Sequence, residues 1–425
     1  MTNGSKTDIY SRRESQARSY CRAFPVTFTK AQNATMTDAE GRNYTDFLAG
    51  CSSLNYGHND PDMKAALLEY ISRDGVTHGL DMHTDAKAEF LDAFERLILT
   101  PRGMDYRFMF TGPTGTNAVE AAMKLARKTT GRETIIAFTN GFHGMTMGAL
   151  AATGNAGKRA GAGMALSGVV RMPYEGAMEG VDSLSMIRAM LENPSSGIDA
   201  PAAFLIEPVQ GEGGLNAAST EFLKGLQTLA REHGALIIMD DIQAGIGRTG
   251  PFFSFEGMGI QPDLIPLAKS LSGMGLPFAG LLIRPDLDVW KPAEHNGTFR
   301  GNNHAFVTAR VALEKFWSND AFQRQTEAKS AYLTERLRAI AACVPGARLK
   351  GRGMMQGIDV GNGDMAAAIC ATCFEHGLII ETSGAHDEVV KVLAPLTIAQ
   401  EQFAAGLDIL EAAVQAQASQ RIAAE

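Results

Sequence analysis

Short apolar runs recur along the middle of the chain, between residues 105 and 285. They occupy positions 108–110, 135–138, 203–206, 235–239, 264–268 and 280–283. Runs without polar residues at alternate positions are typical of strands covered on both faces, and the longer segments between them are amphipathic or rich in glycine. The pattern predicts an α/β fold with a mostly parallel sheet sandwiched by helices. Ligands bind to such sheets outside the carboxyl ends of the strands.

A different pattern flanks this central region on both sides. Residues 305–342 have the apolar spacing of one long helix, and a shorter mixture of strands and a helix follows. Near the start, two strand-like segments on either side of Glu40-Gly41 predict a hairpin that packs with this later part. Because a chain of 425 residues is too long for one simple hydrophobic core, we expect two domains and an N-terminal segment. These are an N-terminal segment over 1–54, a large domain over 55–304 and a smaller α+β domain over 305–425.

The composition excludes several classes of partner. The chain has a formal net charge of −8 at pH 7 and a pI of about 5.7, so nothing indicates a basic surface for nucleic acid or anionic membranes. No apolar stretch approaches the roughly 18 residues that span a bilayer, and Met1–Lys6 contains no apolar signal region. We therefore expect a soluble, cytoplasmic protein.

The cysteines form an odd and sparse set, which predicts no disulfide framework and fits a reducing cytoplasm. They are Cys21, Cys51, Cys343, Cys370 and Cys373. The last two form a single CxxC pair, without the second pair that a zinc site of this type would need. Both lie in an alanine-rich predicted helix, which favours burial. We expect no metal site.

Lys269 and Asp240 each follow an apolar run, at the point where a predicted strand ends. Lys269 comes after the run 264–268 and before a turn of small residues, and Asp240 comes after the run 235–239. An amine and a carboxylate at neighbouring strand ends suit a site for pyridoxal phosphate (PLP). The amine forms a Schiff base with the aldehyde, and the carboxylate keeps the pyridine nitrogen protonated. Taken alone, each residue is better explained as a surface charge at a strand end.

Two glycine-containing motifs follow other predicted strands in a compatible order. In 111–117, Gly115 and Thr116 open an amphipathic helix, whose free backbone N–H groups and dipole favour a phosphate. In 141–144, Phe142 lies beside glycines and can stack on a flat cofactor ring. In isolation, the first motif is equally a helix cap and the second is better explained by a core phenylalanine.

A third motif, 207–214, places carboxylates in a glycine-rich turn after the run 203–206. Glu207 and Glu212 can orient a cofactor there. Alternatively, they can pair with a cationic group of the site and so keep it from binding the wrong substrate. The alternative is a solvated run of charge. A turn at the end of a buried strand favours the functional interpretation.

Taken together, these residues resemble the class III (ω-amino acid) aminotransferases, which are PLP enzymes of fold type I. The segment Ile237–Lys269 follows the signature of that family: an apolar strand, an aspartate, a second acidic residue, then Ile, Gln and Gly, and Asp263 ahead of the lysine. The resemblance implies a large PLP-binding domain and a smaller α+β domain. The family usually has glutamate where this chain has Asp241. We expect little effect, because the first aspartate does the electronic work.

The resemblance also implies roles for single residues. Lys269 resembles the lysine that forms the Schiff base, and Asp240 resembles the partner of the pyridine nitrogen. Thr298 resembles the threonine that reaches the phosphate of the partner subunit's cofactor, which implies a homo-oligomer, at least a dimer with shared active sites. The other positions that resemble cofactor-binding residues are Gln243 at the ring hydroxyl, Gly115 and Thr116 at the phosphate, and Phe142 at the ring face.

A narrower resemblance covers nearly the whole chain, through Ser19–Arg22, Asn55–Asn59, Asp74–Thr84 and Thr111–Arg127. These segments resemble the subgroup of the family that opens ectoine biosynthesis. The resemblance implies transfer of the amino group of L-glutamate to L-aspartate 4-semialdehyde, which gives L-2,4-diaminobutyrate and 2-oxoglutarate. The alternatives are a 4-aminobutyrate or ornithine transaminase, an intramolecular aminomutase, and a cofactor-free interaction protein. The intact set of site residues argues against the last.

One departure from the family concerns the substrate. Many members have an arginine near the C-terminal end that binds the substrate α-carboxylate, and the matching stretch here, Val389–Pro395, contains Lys391. An ammonium lacks the planar, bidentate geometry of a guanidinium. Our hypothesis is that Lys391 still binds a substrate carboxylate, with Glu212 as its gate when no acid is bound. The alternative is a surface lysine.

Overall fold

The computed structural model describes residues 6–424, so most of Met1–Lys6, on which the signal-segment prediction rests, lies outside the described residues. The α-helices of more than four residues are Lys6–Arg13, Pro61–Ser72, Asp85–Phe94, Gly115–Thr130, Met147–Ala152, Ala156–Ala160, Ser183–Glu192, Thr220–Glu232, Asn303–Phe316, Ala321–Ala341, Gly363–Glu375 and Gln400–Ala424. Within this described range, no helix has the length and apolar character needed to cross a bilayer.

A seven-stranded sheet forms the centre of the molecule. Its strands, in spatial order, are Arg107–Phe110, Gly280–Ile283, Leu264–Leu267, Leu236–Met239, Ala203–Ile206, Ile135–Phe138 and Val169–Met172. The second strand is antiparallel to both of its neighbours, and the other pairs are parallel. All six predicted apolar runs are strands. The edge strand Val169–Met172 was not predicted, because Arg171 interrupts its apolar run.

Both faces of this sheet are buried, as the apolar runs predict. Along one strand, Ile135 and Ala137 join the apolar cluster on one face, whereas Ile136 and Phe138 join the cluster on the other. The helix Gly115–Thr130 covers the first face with its alanine, valine and leucine side chains. Successive side chains of a strand point to opposite faces, so a strand covered twice has no polar positions.

The prediction of one long helix over 305–342 is wrong. The structure has two helices, Asn303–Phe316 and Ala321–Ala341, with a break at 317–320. The side chain of Asn319 accepts a hydrogen bond from the Ala321 amide at 2.9 Å. Asn, Ser and Asp side chains compete with helical hydrogen bonds in this way, and they favour helix ends.

Two smaller sheets combine strands from both ends of the chain. The predicted hairpin is confirmed, with Thr35–Asp38 antiparallel to Asn43–Asp46. Its second strand also pairs in parallel with Leu378–Ile379, so the N-terminal segment contacts the C-terminal region directly. The other sheet has the strand order Arg348–Arg352, Met355–Asp359, Val389–Val392 and Glu381–Ser383. The boundaries 1–54, 55–304 and 305–425 stay a prediction.

Candidate active site

Eight of the ten predicted site residues line one cavity of about 350 Å³, and the two exceptions are Thr298 and Lys391. The eight are Gly115, Thr116, Phe142, Glu207, Glu212, Asp240, Gln243 and Lys269. The cavity lies at the carboxyl ends of the central strands, since Glu207 and Asp240 directly follow Ala203–Ile206 and Leu236–Met239. The sheet therefore gathers residues from distant parts of the chain at one edge.

Lys269 begins a 3₁₀ turn, Lys269–Ser272, directly after the strand end. Its φ of 53° lies in the left-handed region, which costs a side-chain-bearing residue free energy and is common at functional sites. Within residues 6–424, no hydrogen bond or ion pair engages its ammonium group. Burial lowers the pKa of this ammonium, although the nearby charge of Glu212 opposes the shift. The amine is therefore available as a base or nucleophile.

Asp240 is held by a histidine that the sequence analysis did not single out. His143 Nδ1 lies 2.7 Å from Asp240 Oδ2, and both side chains are buried. Burial disfavours the charged imidazole, but the hydrogen bond and charge of Asp240 outweigh it and raise the pKa of His143. The second carboxylate oxygen accepts from the Ile242 amide at 3.2 Å. The pair fixes the orientation of the carboxylate toward the cavity.

Glu207 binds the backbone beside Phe142. Its carboxylate accepts hydrogen bonds from the amides of Phe142 at 2.9 Å and Gly211 at 3.3 Å. Burial, reinforced by the charge of Asp240, raises the pKa of Glu207 to about 7. The half-buried Phe142 ring lines the cavity, and its stacking on a cofactor ring stays a prediction.

The predicted phosphate loop opens the helix Gly115–Thr130. No side chain caps this helix, and within the described chain the amides of Gly115 and Thr116 have no hydrogen-bond partner. The Thr116 hydroxyl lies 2.6 Å from that of Thr146. A Cβ at position 115 would lie 3.0 Å from Ile242 Cδ1, so a side chain there would be crowded. Free amides and the helix dipole make this turn suitable for an anion.

Gln243 is supported by an unusual turn at 49–52. All four residues of this turn have φ between 44° and 70°, although only one of them is glycine. The Cys51 carbonyl accepts from Gln243 Nε2 at 3.2 Å, and the Ser52 carbonyl accepts from the Ser270 hydroxyl at 2.7 Å. The turn therefore braces both Gln243 and the segment that carries Lys269. In contrast, Gln243 Oε1 is buried without a hydrogen-bond partner among the described residues.

Lys391 is not a surface lysine. Its side chain is fully buried on the strand Val389–Val392, behind the cavity wall. Nζ lies 3.0 Å from Glu212 Oε1 and 2.8 Å from Glu381 Oε1. Burial disfavours its charge, but the two carboxylates outweigh this and raise its pKa. Burial likewise opposes the ionisation of Glu212, but Lys391 outweighs it and lowers the pKa of Glu212 to about 2.

Glu381 was missed by the sequence analysis, because it precedes Lys391 on a different strand. The two residues are directly opposite in the pair Glu381–Ser383 and Val389–Val392. A cross-strand pair of opposite charge leaves no signal in sequence spacing when the turn length is unknown.

Thr298 lies outside this chain's own cavity. It is exposed on the short turn Thr298–Arg300, next to Phe299, whose side chain is 66% exposed. A Cβ on Gly297 would lie 3.8 Å from the Cα of Gly112, so this turn borders the loop that precedes the helix. The role predicted for Thr298 in a partner's site stays a prediction.

Asp241 points away from the cavity. Its carboxylate accepts hydrogen bonds from the hydroxyl and amide of Ser254, and no cation pairs with it among residues 6–424. Burial raises the pKa of Asp241 to about 7. The shorter side chain at this position of the signature thus lies away from the other site residues.

The raised pKa of Asp241 has a consequence for stability. A carboxyl group that binds its proton more tightly in the folded chain destabilises the fold when it ionises, so the contribution of Asp241 to stability falls as the pH rises from about 4 to about 7. Asp241→Asn removes this titration. We expect the variant to be more stable than wild type by about 1–3 kcal/mol near pH 8, and the difference to shrink at about pH 5. Thermal denaturation at both pH values checks this, and a difference independent of pH would contradict it.

The comparisons with known proteins agree with this arrangement. The profile described as Aminotransferase class-III matches residues 16–414. A relative from Vibrio cholerae named diaminobutyrate–2-oxoglutarate transaminase is 57% identical over 406 residues, which cover 95% of this chain and 98% of the relative. A relative of the same name from Halomonas elongata is 54% identical over 412 residues, covering 96% and 98%.

Solved structures show the same fold. The ornithine aminotransferase from Toxoplasma gondii superposes with a TM-score of 0.85 at 26% identity, covering 99% of this chain and 96% of that one. A transaminase from the marine bacterium Virgibacillus superposes with a TM-score of 0.86 at 18% identity, covering 97% and 99%, which supports the fold alone. The predicted fold type and family are confirmed. The chain belongs to the class III aminotransferases.

Proposed function

We propose that this chain transfers the amino group of L-glutamate to L-aspartate 4-semialdehyde, which yields 2-oxoglutarate and L-2,4-diaminobutyrate in the first step of ectoine biosynthesis. The observation that carries the proposal is the cavity with Lys269 and Asp240, on a chain 57% identical to a diaminobutyrate–2-oxoglutarate transaminase. Ornithine aminotransferase, an alternative specificity, matches at only 26% identity. No observation favours an aminomutase.

The cofactor is pyridoxal 5′-phosphate, and the cavity residues fit it. When bound, it supplies an aldehyde that takes up the substrate amine and a ring that withdraws electrons from the substrate Cα. The unpaired Gln243 Oε1, a buried acceptor that costs free energy without a donor, suits the ring hydroxyl. The other groups that would hold it are the Lys269 amine for the aldehyde, the Asp240 carboxylate for the ring nitrogen, the Gly115 and Thr116 amides for the phosphate, and Phe142 for the ring face. Glu207 orients the backbone of Phe142.

Lys269 has a second task once its amine is released. Lys269 Nζ would take the proton from the substrate Cα and pass it to the carbon that carries the aldehyde of the bound cofactor, so that the amino group stays with the cofactor. Its lowered pKa increases the fraction of neutral amine at neutral pH, which a general base needs. Asp240, fixed by His143, supplies negative charge to the cavity in a water-poor environment, where a charge-assisted hydrogen bond is strong.

The acceptor specificity tests the proposal. With L-glutamate as donor, we expect kcat/KM for L-aspartate 4-semialdehyde to exceed that for succinate semialdehyde by at least about 100-fold, because a site built for a polar group rejects an analogue that lacks it. Steady-state assays of 2-oxoglutarate release check this. A preference for succinate semialdehyde or glutamate semialdehyde would leave the family intact and exclude the proposed substrate.

Lys391 binds a carboxylate of the substrate in this proposal, and Glu212 is its gate. Glu212 lines the cavity and separates it from Lys391, so movement of Glu212 would open the ammonium to an incoming acid. Lys391→Ala should raise KM for glutamate by about 10–100-fold, whereas Lys391→Arg keeps the charge and should retain most of the affinity. An unchanged glutamate half-reaction in Lys391→Ala would exclude this role.

We also infer a cytoplasmic homo-oligomer, at least a dimer, in which Thr298 reaches the phosphate of the partner subunit's cofactor. The exposed turn with Thr298 and Phe299 beside the phosphate loop supports this, since large exposed apolar side chains favour an interface. All five cysteines are free thiols, which fits a reducing compartment. A fully active monomer in sedimentation velocity would contradict the shared site.

A further inference from the structure

A second cavity, of about 430 Å³, lies beside the active-site cavity and shares Glu212 with it. Two more carboxylates line it, from Glu381 and Asp387. Within the described chain, no lysine, arginine or histidine side chain lines this second cavity. The region next to the active site is therefore electronegative, and a cationic group entering from it would be attracted.

The positive charge next to Glu381 is not enough to neutralise the carboxylates there. Lys391 lies 2.8 Å from Glu381 Oε1 but also 3.0 Å from Glu212 Oε1, so one ammonium is shared between two carboxylates. Apart from this shared ammonium, Glu381 Oε1 has no donor among residues 6–424. Its side chain is only 11% exposed. A carboxylate can accept about four hydrogen bonds, so Glu381 can take another donor.

The other oxygen of Glu381 is held in place by Tyr20. The Tyr20 hydroxyl donates to Glu381 Oε2 at 3.2 Å and lies 2.8 Å from Cys51 Sγ. Cys51 belongs to the left-handed turn that also binds Gln243. These contacts connect Glu381 to the wall of the active-site cavity and fix its direction.

The two halves of the proposed reaction differ at the end of the substrate that does not react. Glutamate reacts through its α-amino group, so its far end carries a carboxylate only. Diaminobutyrate and aspartate 4-semialdehyde react at C4, so their far end carries both an α-carboxylate and an α-ammonium group. Lys391 accounts for a carboxylate in either case. The additional ammonium needs an anion in a partly buried site.

We propose that Glu381 binds the α-ammonium group of the four-carbon substrate and so determines acceptor specificity, with Tyr20 as a positioning residue. This assignment rests on the proposed function, because only that substrate pair carries the extra ammonium. The released Glu212 returns to Lys391 when the site empties, whereas Glu381 stays fixed by Tyr20. The second cavity borders Glu381 and adds the carboxylate of Asp387 to the negative charge around it.

A pair of amines isolates this contact, because 4-aminobutyrate is diaminobutyrate without the α-amino group. We would measure kcat/KM for both amines with 2-oxoglutarate as acceptor, in the PLP-loaded wild type and in Glu381→Gln. We expect Glu381→Gln to lower kcat/KM for diaminobutyrate by about 10–100-fold, mainly through KM, and to change that for 4-aminobutyrate by less than about threefold. Tyr20→Phe leaves the charge of Glu381 in place. It should lower kcat/KM for diaminobutyrate by less than about 10-fold and leave that for 4-aminobutyrate unchanged.

Glu375→Gln is the matched control, because Glu375 is an exposed glutamate at the end of the helix Gly363–Glu375 and lines neither cavity. It should match wild type with both amines. If Glu381→Gln leaves the ratio of kcat/KM for diaminobutyrate to kcat/KM for 4-aminobutyrate unchanged, the assignment of Glu381 is overturned. The proposed function would still stand. A wild type that converts glutamate but does not use diaminobutyrate would overturn the proposed function, and this assignment with it.

Discussion

Replacing Lys269 with alanine will lower the rate of transamination by at least about 10⁴-fold, because the variant loses both the amine that engages the cofactor and the base that moves the Cα proton. Lys269 is the only lysine or arginine that lines the cavity formed by the described residues. Steady-state release of 2-oxoglutarate from glutamate measures the loss. Borohydride reduction and peptide mapping of the wild type should place the cofactor on residue 269.

A Lys269→Arg variant separates charge from chemistry. It keeps a cation at the site but replaces the amine with a guanidinium that stays protonated in proteins. We expect it to be as inactive as Lys269→Ala, while thermal denaturation shows both variants folded. Retention of more than about 1% of wild-type activity in either variant would contradict the role of Lys269.

Asp240→Asn should lower kcat by about 10²–10³-fold, because it removes the negative charge that Asp240 brings to the cavity. The neighbouring Asp241 is the matched control. Both aspartates are buried, but Asp240 lines the cavity and binds His143, whereas Asp241 binds Ser254 outside it. Asp241→Asn should retain kcat within about threefold, as expected of a residue remote from the reacting atoms.

The Asp240→Asn variant should keep its fold, since the asparagine oxygen can still accept from His143 Nδ1. Cofactor content and kcat are therefore measured together, at saturating PLP. Equal activities of Asp240→Asn and wild type, or equal losses in Asp240→Asn and Asp241→Asn, would contradict the assignment of Asp240 as the partner of the ring nitrogen.

The central sheet and most of its cavity residues could be predicted from the sequence, because strands covered on both faces have a local signature. The side chains that follow such strands, among them Lys269, Asp240 and Glu207, then fall at one edge without further information. The break at 317–320 could not be predicted in the same way. At this break, a side-chain hydrogen bond replaces a helical one. The helical spacing of apolar residues continues on both sides of it, so the pattern gives no sign of an interruption.

The missed site residues share a different cause. His143 is far from Asp240 along the chain, and Glu381 meets Lys391 only through strand pairing. Both contacts depend on tertiary structure, which periodicity does not encode. The turn at 49–52 was hidden for another reason. Its left-handed backbone includes Ala49, Cys51 and Ser52, residue types that rarely adopt positive φ.

The most direct test of the account is a half-reaction with the PLP-loaded protein. L-glutamate alone should release about one equivalent of 2-oxoglutarate per subunit and then stop, as a ping-pong cycle requires. After removal of glutamate, L-aspartate 4-semialdehyde should give about one equivalent of L-2,4-diaminobutyrate and restore the capacity to react with glutamate, and succinate semialdehyde should not. Absence of 2-oxoglutarate release, or capacity restored only by other aldehydes, would contradict the account.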